Sequence, residues 1–189
     1  MLKTFRRLSA GIMAAAALTL GGCNGKLPFT GGKPSFDTSY SVVAEIKSGR
    51  LDAKADVIRM GANDWEFTFT EPKELSGMVV AFGVNGYTAK LGDLKFKADE
   101  NVEYTLLPKV IGSALEQLAV TDSSQIEEKD GILTAELSID GNIVTVTADS
   151  KGNLISLKCP HHQLSVNFSQ QQPYFSTLPD DGGLVVVDS

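Results

Sequence analysis

Most of this chain alternates apolar and polar residues with a period of two, which is typical of strands that bury one face. The turn sequences Lys47-Ser48-Gly49-Arg50, Asn85-Gly86 and Asp140-Gly141 divide the alternating stretches into hairpin-sized pieces. The expected strands are Tyr40–Ile46, Leu51–Val57, Trp65–Phe69, Met78–Val84, Tyr87–Leu91, a short one around Leu94 and Phe96, Ile132–Ile139, Asn142–Ala148, Leu154–Cys159 and Gln163–Phe168. The pattern predicts an antiparallel meander.

One segment interrupts this rhythm with helical spacing. Its apolar positions are Leu107, Val110, Ile111, Ala114, Leu115 and Leu118. Pro108 stands near the start, where a missing amide donor costs little. We expect an amphipathic helix of about three turns with Leu115 against the sheet and Glu116 facing solvent. The order along the chain is a group of strands, one central helix and a second group of strands. This order predicts the fold class α+β.

Three finer expectations concern the second half of the chain. Glu127 and Glu128 should form a solvated run before a turn, and Ile155, Leu157 and Cys159 should share one buried face. From about residue 169 the sequence becomes polar, and stretch 184–187 is a candidate for an edge strand.

The N-terminus carries the features of an export signal. Lys3, Arg6 and Arg7 precede an apolar run that is short for a membrane span, and Leu20-Gly21-Gly22-Cys23 follows. This stretch resembles the lipobox of bacterial lipoproteins, which implies removal of residues 1–22 and lipidation of Cys23. The alternative is an ordinary secretory signal that ends near a cysteine. Residues 23–35 would then form a lipidated flexible tether and residues 36–189 a single domain.

Charge and cysteine content narrow the choice of partners. The net charge is −6, and it becomes −9 when the three positive charges before Cys23 are removed. So acidic a domain should not bind nucleic acid, and its membrane contact would come from the anchor on the extracytoplasmic side of the bacterial membrane. Cys159 is the only other cysteine, so a lipidated Cys23 leaves it without a disulfide partner.

The arrangement of strands and helix resembles the LolA, LolB and LppX/LprG group of envelope proteins. Local similarity lies in Trp65-Glu66-Phe67-Thr68-Phe69-Thr70-Glu71-Pro72 and in Asp149-Ser150-Lys151-Gly152-Asn153-Leu154-Ile155. The resemblance implies a strongly curved antiparallel sheet, a half-barrel, packed against the helix. It also implies a lipid or an acylated polypeptide as ligand.

The sequence gives little support for an enzyme. Cys159, His161 and His162 have the chemistry of zinc ligands, but no second cluster supplies the remaining ligands, and a buried hydrophobic cysteine is the simpler interpretation. Phosphate-binding loops, nucleophile elbows and calcium loops are not found in the sequence. We therefore predict no catalytic residue, no metal and no cofactor.

The aromatic strand face is the main candidate for a binding site. An apolar cavity could be lined by sheet residues Trp65, Phe67, Phe69, Phe82, Tyr87 and Phe96 and by helix residues Ile111, Leu115 and Leu118. A filled core would give the same pattern, so both interpretations stay open. The predicted function is a membrane-anchored lipoprotein that binds a hydrophobic ligand; the alternative is a non-enzymatic structural or sensory interaction module of the envelope.

Overall fold

The described part of the chain comprises residues 34–84, 86–98 and 107–175 of a computed structural model, without the side chains of residues 96–98. Lys33–Ser189 forms one compact unit. The predicted signal peptide, Cys23 and the stretch 184–187 lie outside the described residues. Within the described ranges, no helix has both the length and the apolarity needed to cross a membrane.

Eleven strands and one α-helix make up the described fold. The strands are β1 Tyr40–Ser48, β2 Leu51–Gly61, β3 Asp64–Glu71, β4 Val79–Gly83, β5 Gly86–Leu91, β6 Leu94–Ala98, β7 Glu127–Lys129, β8 Ile132–Ile139, β9 Asn142–Asp149, β10 Leu154–Cys159 and β11 Leu164–Pro173, and the helix α1 is Leu107–Val120. The predicted α+β class is confirmed. The three exposed residues of β7 form an edge strand where we expected only a solvated run.

All strands join one open antiparallel sheet in the order β6-β5-β4-β3-β2-β1-β11-β10-β9-β8-β7. Two meanders, β1–β6 and β7–β11, meet where β1 pairs with β11, from Tyr40 opposite Pro173 to Ser48 opposite Leu164. The first and last long strands therefore lie side by side in the middle of the sheet.

The position of α1 shows that the sheet is curved. The helix contacts β8 and β9 on one side and packs Gly112 against Phe82 of β4 on the other. Six strand steps separate β4 from β9, a distance of about 29 Å in a flat sheet, whereas a helix is only about 10 Å across. Because one helix touches both strands, the sheet must wrap around it, as the half-barrel prediction requires.

The core lies between the concave face of the sheet and α1. Cys159 is fully buried there, in agreement with its interpretation as a hydrophobic residue. The expectation that Ile155 shares this face is wrong, because Ile155 is exposed while Leu157 is buried. A break in register between Leu154 and Ser156 reverses the alternation at this point, as a β-bulge does.

The turn between β9 and β10 is held by a carboxylate. Asp149 Oδ1 accepts hydrogen bonds from the backbone amides of Lys151 at 2.8 Å and Asn153 at 2.9 Å, and Asp149 Oδ2 accepts one from Asn153 Nδ2 at 2.7 Å. Partial desolvation acts in the opposite direction, but these hydrogen bonds and the charge of Lys151 lower the pKa of Asp149.

Candidate ligand-binding site

Four aromatic side chains form a row along the concave face of β3, β4 and β5. We call Trp65, Phe67, Phe82 and Tyr87 the aromatic row. Trp65 lies opposite Phe82, and Phe82 lies opposite Tyr87, so cross-strand pairing brings the rings together. Neighbouring ring centroids in the row are 6.0 to 6.5 Å apart, within the range of direct aromatic contacts. Trp65 and Phe67 have no exposed surface.

The helix closes over this row. Ile111, Leu115 and Leu118 are all buried, as expected for the apolar stripe. Gly112 allows the closest approach, because a Cβ at this position would overlap the ring of Phe82. The predicted residues Trp65, Phe67, Ile111, Leu115 and Leu118 thus belong to the packed layer between sheet and helix.

A buried arginine forms hydrogen bonds that connect the sheet and the helix in the same layer. Arg59 on β2 is 2% exposed, and its Nε and Nη2 donate to the two oxygens of Glu116 at 2.9 and 3.1 Å. Arg59 Nη1 donates to the Thr38 carbonyl at 2.9 Å, and Arg59 Nη2 also donates to Asp37 Oδ1 at 2.9 Å. Trp65 Nε1 donates to Glu116 Oε1 at 2.8 Å. One carboxylate therefore joins the helix to two strands.

Electrostatic shifts follow from this arrangement. Burial alone would lower the pKa of Arg59, but hydrogen bonds and charge from Glu116 and Asp37 raise it, so the guanidinium stays charged. Burial raises the pKa of Tyr40, which packs edge-on against Trp65, although the positive charge of Arg59 opposes the shift.

The expectation that Glu116 faces solvent is wrong. Its side chain is only 13% exposed and is paired with Arg59. The curved sheet covers more of the helix circumference than a flat one would, so a position beside the apolar stripe is also enclosed. The sequence contained a signal for this pair, since Arg59 follows Ala53, Ala55 and Val57 at the inward period-two positions of β2. An arginine there requires a buried partner.

An apolar pocket opens beside the packed layer, where the loop after β3 and the start of α1 come together. It has a volume of about 240 Å³, is open to the surface, and is lined by Leu51, Phe69, Leu75, Met78, Val80, Tyr87, Ala89, Leu107 and Pro108. Two residues of the predicted cavity, Phe69 and Tyr87, are in this wall. Phe82 belongs to the aromatic row and does not line this pocket. The backbone of Phe96 pairs with that of Ala89 in the wall, but its side chain is outside the described set.

The pocket wall is almost entirely hydrocarbon. Tyr87 supplies the only polar side-chain group among the lining residues, and partial burial raises its pKa. Leu75 and Met78 come from the segment between β3 and β4. Sequence reasoning missed Leu75 because a loop residue has no strand or helix period from which its burial can be inferred. Met78 was expected to begin a strand, whereas β4 begins at Val79, and the continuous apolar run there did not indicate which side chains face inward.

A second cavity of about 160 Å³ lies at the other half of the sheet, with Cys159 and His162 in its wall. The rings of His161 and His162 meet edge to face at 5.1 Å. Across the described ranges, no three histidine, cysteine or acidic side chains cluster closely enough to hold a metal ion.

Comparisons with known proteins find similarity only among solved structures. No protein-family model matches the chain, and no curated protein sequence matches it. A conserved protein from Thermus thermophilus aligns at 10% identity and a TM-score of 0.44, over 77% of this chain and 88% of its own. A LolA superfamily protein from Nitrosomonas europaea aligns at 8% identity and a TM-score of 0.36, over 76% and 89%. A protein domain from Vibrio parahaemolyticus, described as outer membrane lipoprotein-sorting, aligns at 10% identity and a TM-score of 0.33, over 76% and 88%.

Two of these three structures have LolA-related descriptions. These alignments identify neither a ligand nor a function, so both must follow from the geometry of the chain itself.

Proposed function

We propose that this protein is a membrane-anchored lipoprotein of the bacterial envelope that binds a lipid or another hydrophobic ligand on the concave side of its curved sheet. It acts as a binding protein without catalysis. The lipobox-like sequence at Cys23 supports the anchor, and residues 23–35 would tether the domain that follows.

The observation that carries the proposal is the open apolar pocket of about 240 Å³ between the loop after β3 and the start of α1. A wall with no charged side chain favours an apolar guest. Transfer of each methylene group from water into such a wall is worth ~0.8 kcal/mol. Eight buried methylenes would contribute ~6 kcal/mol, which exceeds the lower estimates of the cost of association, ~4 kcal/mol.

A matched pair of variants tests this function in the compact unit Lys33–Ser189. Ala89→Phe places a ring inside the pocket, whereas Thr88→Phe places the same ring on the opposite face of β5, because side chains alternate along a strand. Binding of an environment-sensitive apolar probe, measured by fluorescence titration, should be lost in Ala89→Phe and kept in Thr88→Phe.

The unmodified unit should bind the probe at a defined stoichiometry, and mass spectrometry of freshly purified protein should detect copurified lipid. A unit that binds no apolar compound and copurifies with none would contradict the proposal. That result would favour the alternative, a structural or sensory interaction module.

A further inference from the structure

We propose that the apolar pocket takes one acyl chain, to a depth of about ten carbon atoms, and does not take the two or three chains of a diacylated or triacylated lipid. This inference rests on the proposed function and specifies its ligand class. A single-chain amphiphile, such as a fatty acid, has the required chemistry.

The volume of the pocket sets the number of carbons. A dry cavity of ~150 Å³ lined by aliphatic and aromatic side chains holds one benzene molecule, which has six carbons. By the same proportion of volume to carbon atoms, the 240 Å³ of this pocket holds about ten carbon atoms. Typical sites for larger organic ligands begin at ~300 Å³. Two membrane-length chains would need several times the space present here.

The surrounding structure prevents the pocket from extending under the helix. On that side lie the fully buried rings of Trp65 and Phe67 and the close contact between Gly112 and Phe82. Enlargement would require α1 to move away from the sheet. That movement would separate Glu116 from Arg59, leaving a buried guanidinium without its bidentate partner.

The wall also defines how the ligand enters. Because no lining residue carries a charge, a carboxylate or phosphate inside the pocket would have no counterion, and burial of an unpaired charge is strongly unfavourable. The chain therefore enters by its methyl end and leaves a charged head group at the mouth. The hydroxyl of Tyr87 is the one side-chain group of the wall that can hydrogen-bond to a polar ligand atom.

Calorimetric titration of Lys33–Ser189 with n-alkyl carboxylates, from hexanoate to tetradecanoate and each below its micelle concentration, tests the proposal. Affinity should rise about fourfold with each added methylene and then level off at about ten carbons.

Two variants of the wall should move this plateau in opposite directions. Ala89→Leu adds three carbons to the pocket and should bring the plateau about three carbons earlier, whereas Met78→Ala removes three heavy atoms and should delay it by about three. Fluorescence of Trp65 verifies that each variant is folded.

The possible results separate this inference from the function on which it rests. The single-chain assignment would be overturned if affinity rose up to tetradecanoate without a plateau. It would also be overturned if a short-chain diacyl phosphatidylcholine bound more tightly than the matching single chain. Either result would leave the proposal of hydrophobic binding intact. A unit that binds the apolar probe but no carboxylate would also overturn it. Failure to bind any of these compounds would overturn both.

Discussion

Replacing Glu116 with alanine removes the carboxylate that joins α1 to β2 and β3. Arg59 is 2% exposed and loses two hydrogen bonds to that carboxylate, while the buried indole of Trp65 loses its acceptor. Asp37 remains near the guanidinium, but it is 65% exposed and accepts from only one nitrogen.

The expected loss of stability follows from these contacts. Breaking a buried ion pair by removing one partner costs ~3–5 kcal/mol, because the other charge stays buried and uncompensated. For a domain of this size each kcal/mol lowers Tm by ~2–4 °C, so Glu116→Ala should lower Tm by roughly 6–20 °C. Glu136→Ala is the control: this carboxylate is exposed on β8, and its loss should change the unfolding free energy by less than ~0.5 kcal/mol.

Fluorescence of Trp65 reports directly on the unfolding of these variants. Trp65 is the only tryptophan in the chain, it is fully buried, and it donates to Glu116 itself. Urea titrations of Lys33–Ser189 followed by its fluorescence give the free energies of unfolding. The double variant Arg59→Met/Glu116→Leu should recover much of the loss, since it removes both charges together. Equal denaturation midpoints for Glu116→Ala and Glu136→Ala would refute the argument.

Three further predictions concern other parts of the chain. Gly112→Ala forces a methyl group against the ring of Phe82 and should destabilise the unit by ~1–3 kcal/mol in the same urea assay. Cys23→Ala should leave an unprocessed precursor without labelled fatty acid, and normal processing of the variant would contradict lipidation at this residue. Because the pKa of Asp149 is lowered in the folded state, its contribution is present at neutral pH and is lost on acidification. The stability difference between wild type and Asp149→Asn should therefore shrink as the pH falls below about 4.

The sequence was a good guide to the secondary structure and a weaker guide to the site. Period-two alternation predicted the boundaries of β8 and β10 correctly, and helical spacing placed α1, because each element buries one regular face. The same rule failed at Ile155, where a bulge breaks the alternation. It also failed at Glu116, where the curved sheet encloses a second side of the helix.

The pocket was only half predictable for a related reason. Phe69 and Tyr87 lie on strands, and their inward orientation follows from alternation. Leu75 and Met78 lie in the connection between β3 and β4, and their position depends on how that loop folds back on the sheet. Periodicity also gives no measure of empty volume, so the choice between a packed core and a cavity required the three-dimensional arrangement.

The pairing of β1 with β11 has a consequence for when this domain can fold. Residues 40–48 pair with residues 164–173, so completing the sheet requires contacts between segments more than a hundred residues apart in the chain. Pairings between such distant segments form slowly, because the entropy of closing the loop is lost before any contact is gained. The two meanders can form independently as ladders of hairpins, but their seam closes only after β11 has been synthesised. The sheet can therefore be completed only when all of residues 40–173 are available together, and a chain that lacks β11 leaves the inner edge of β1 unpaired.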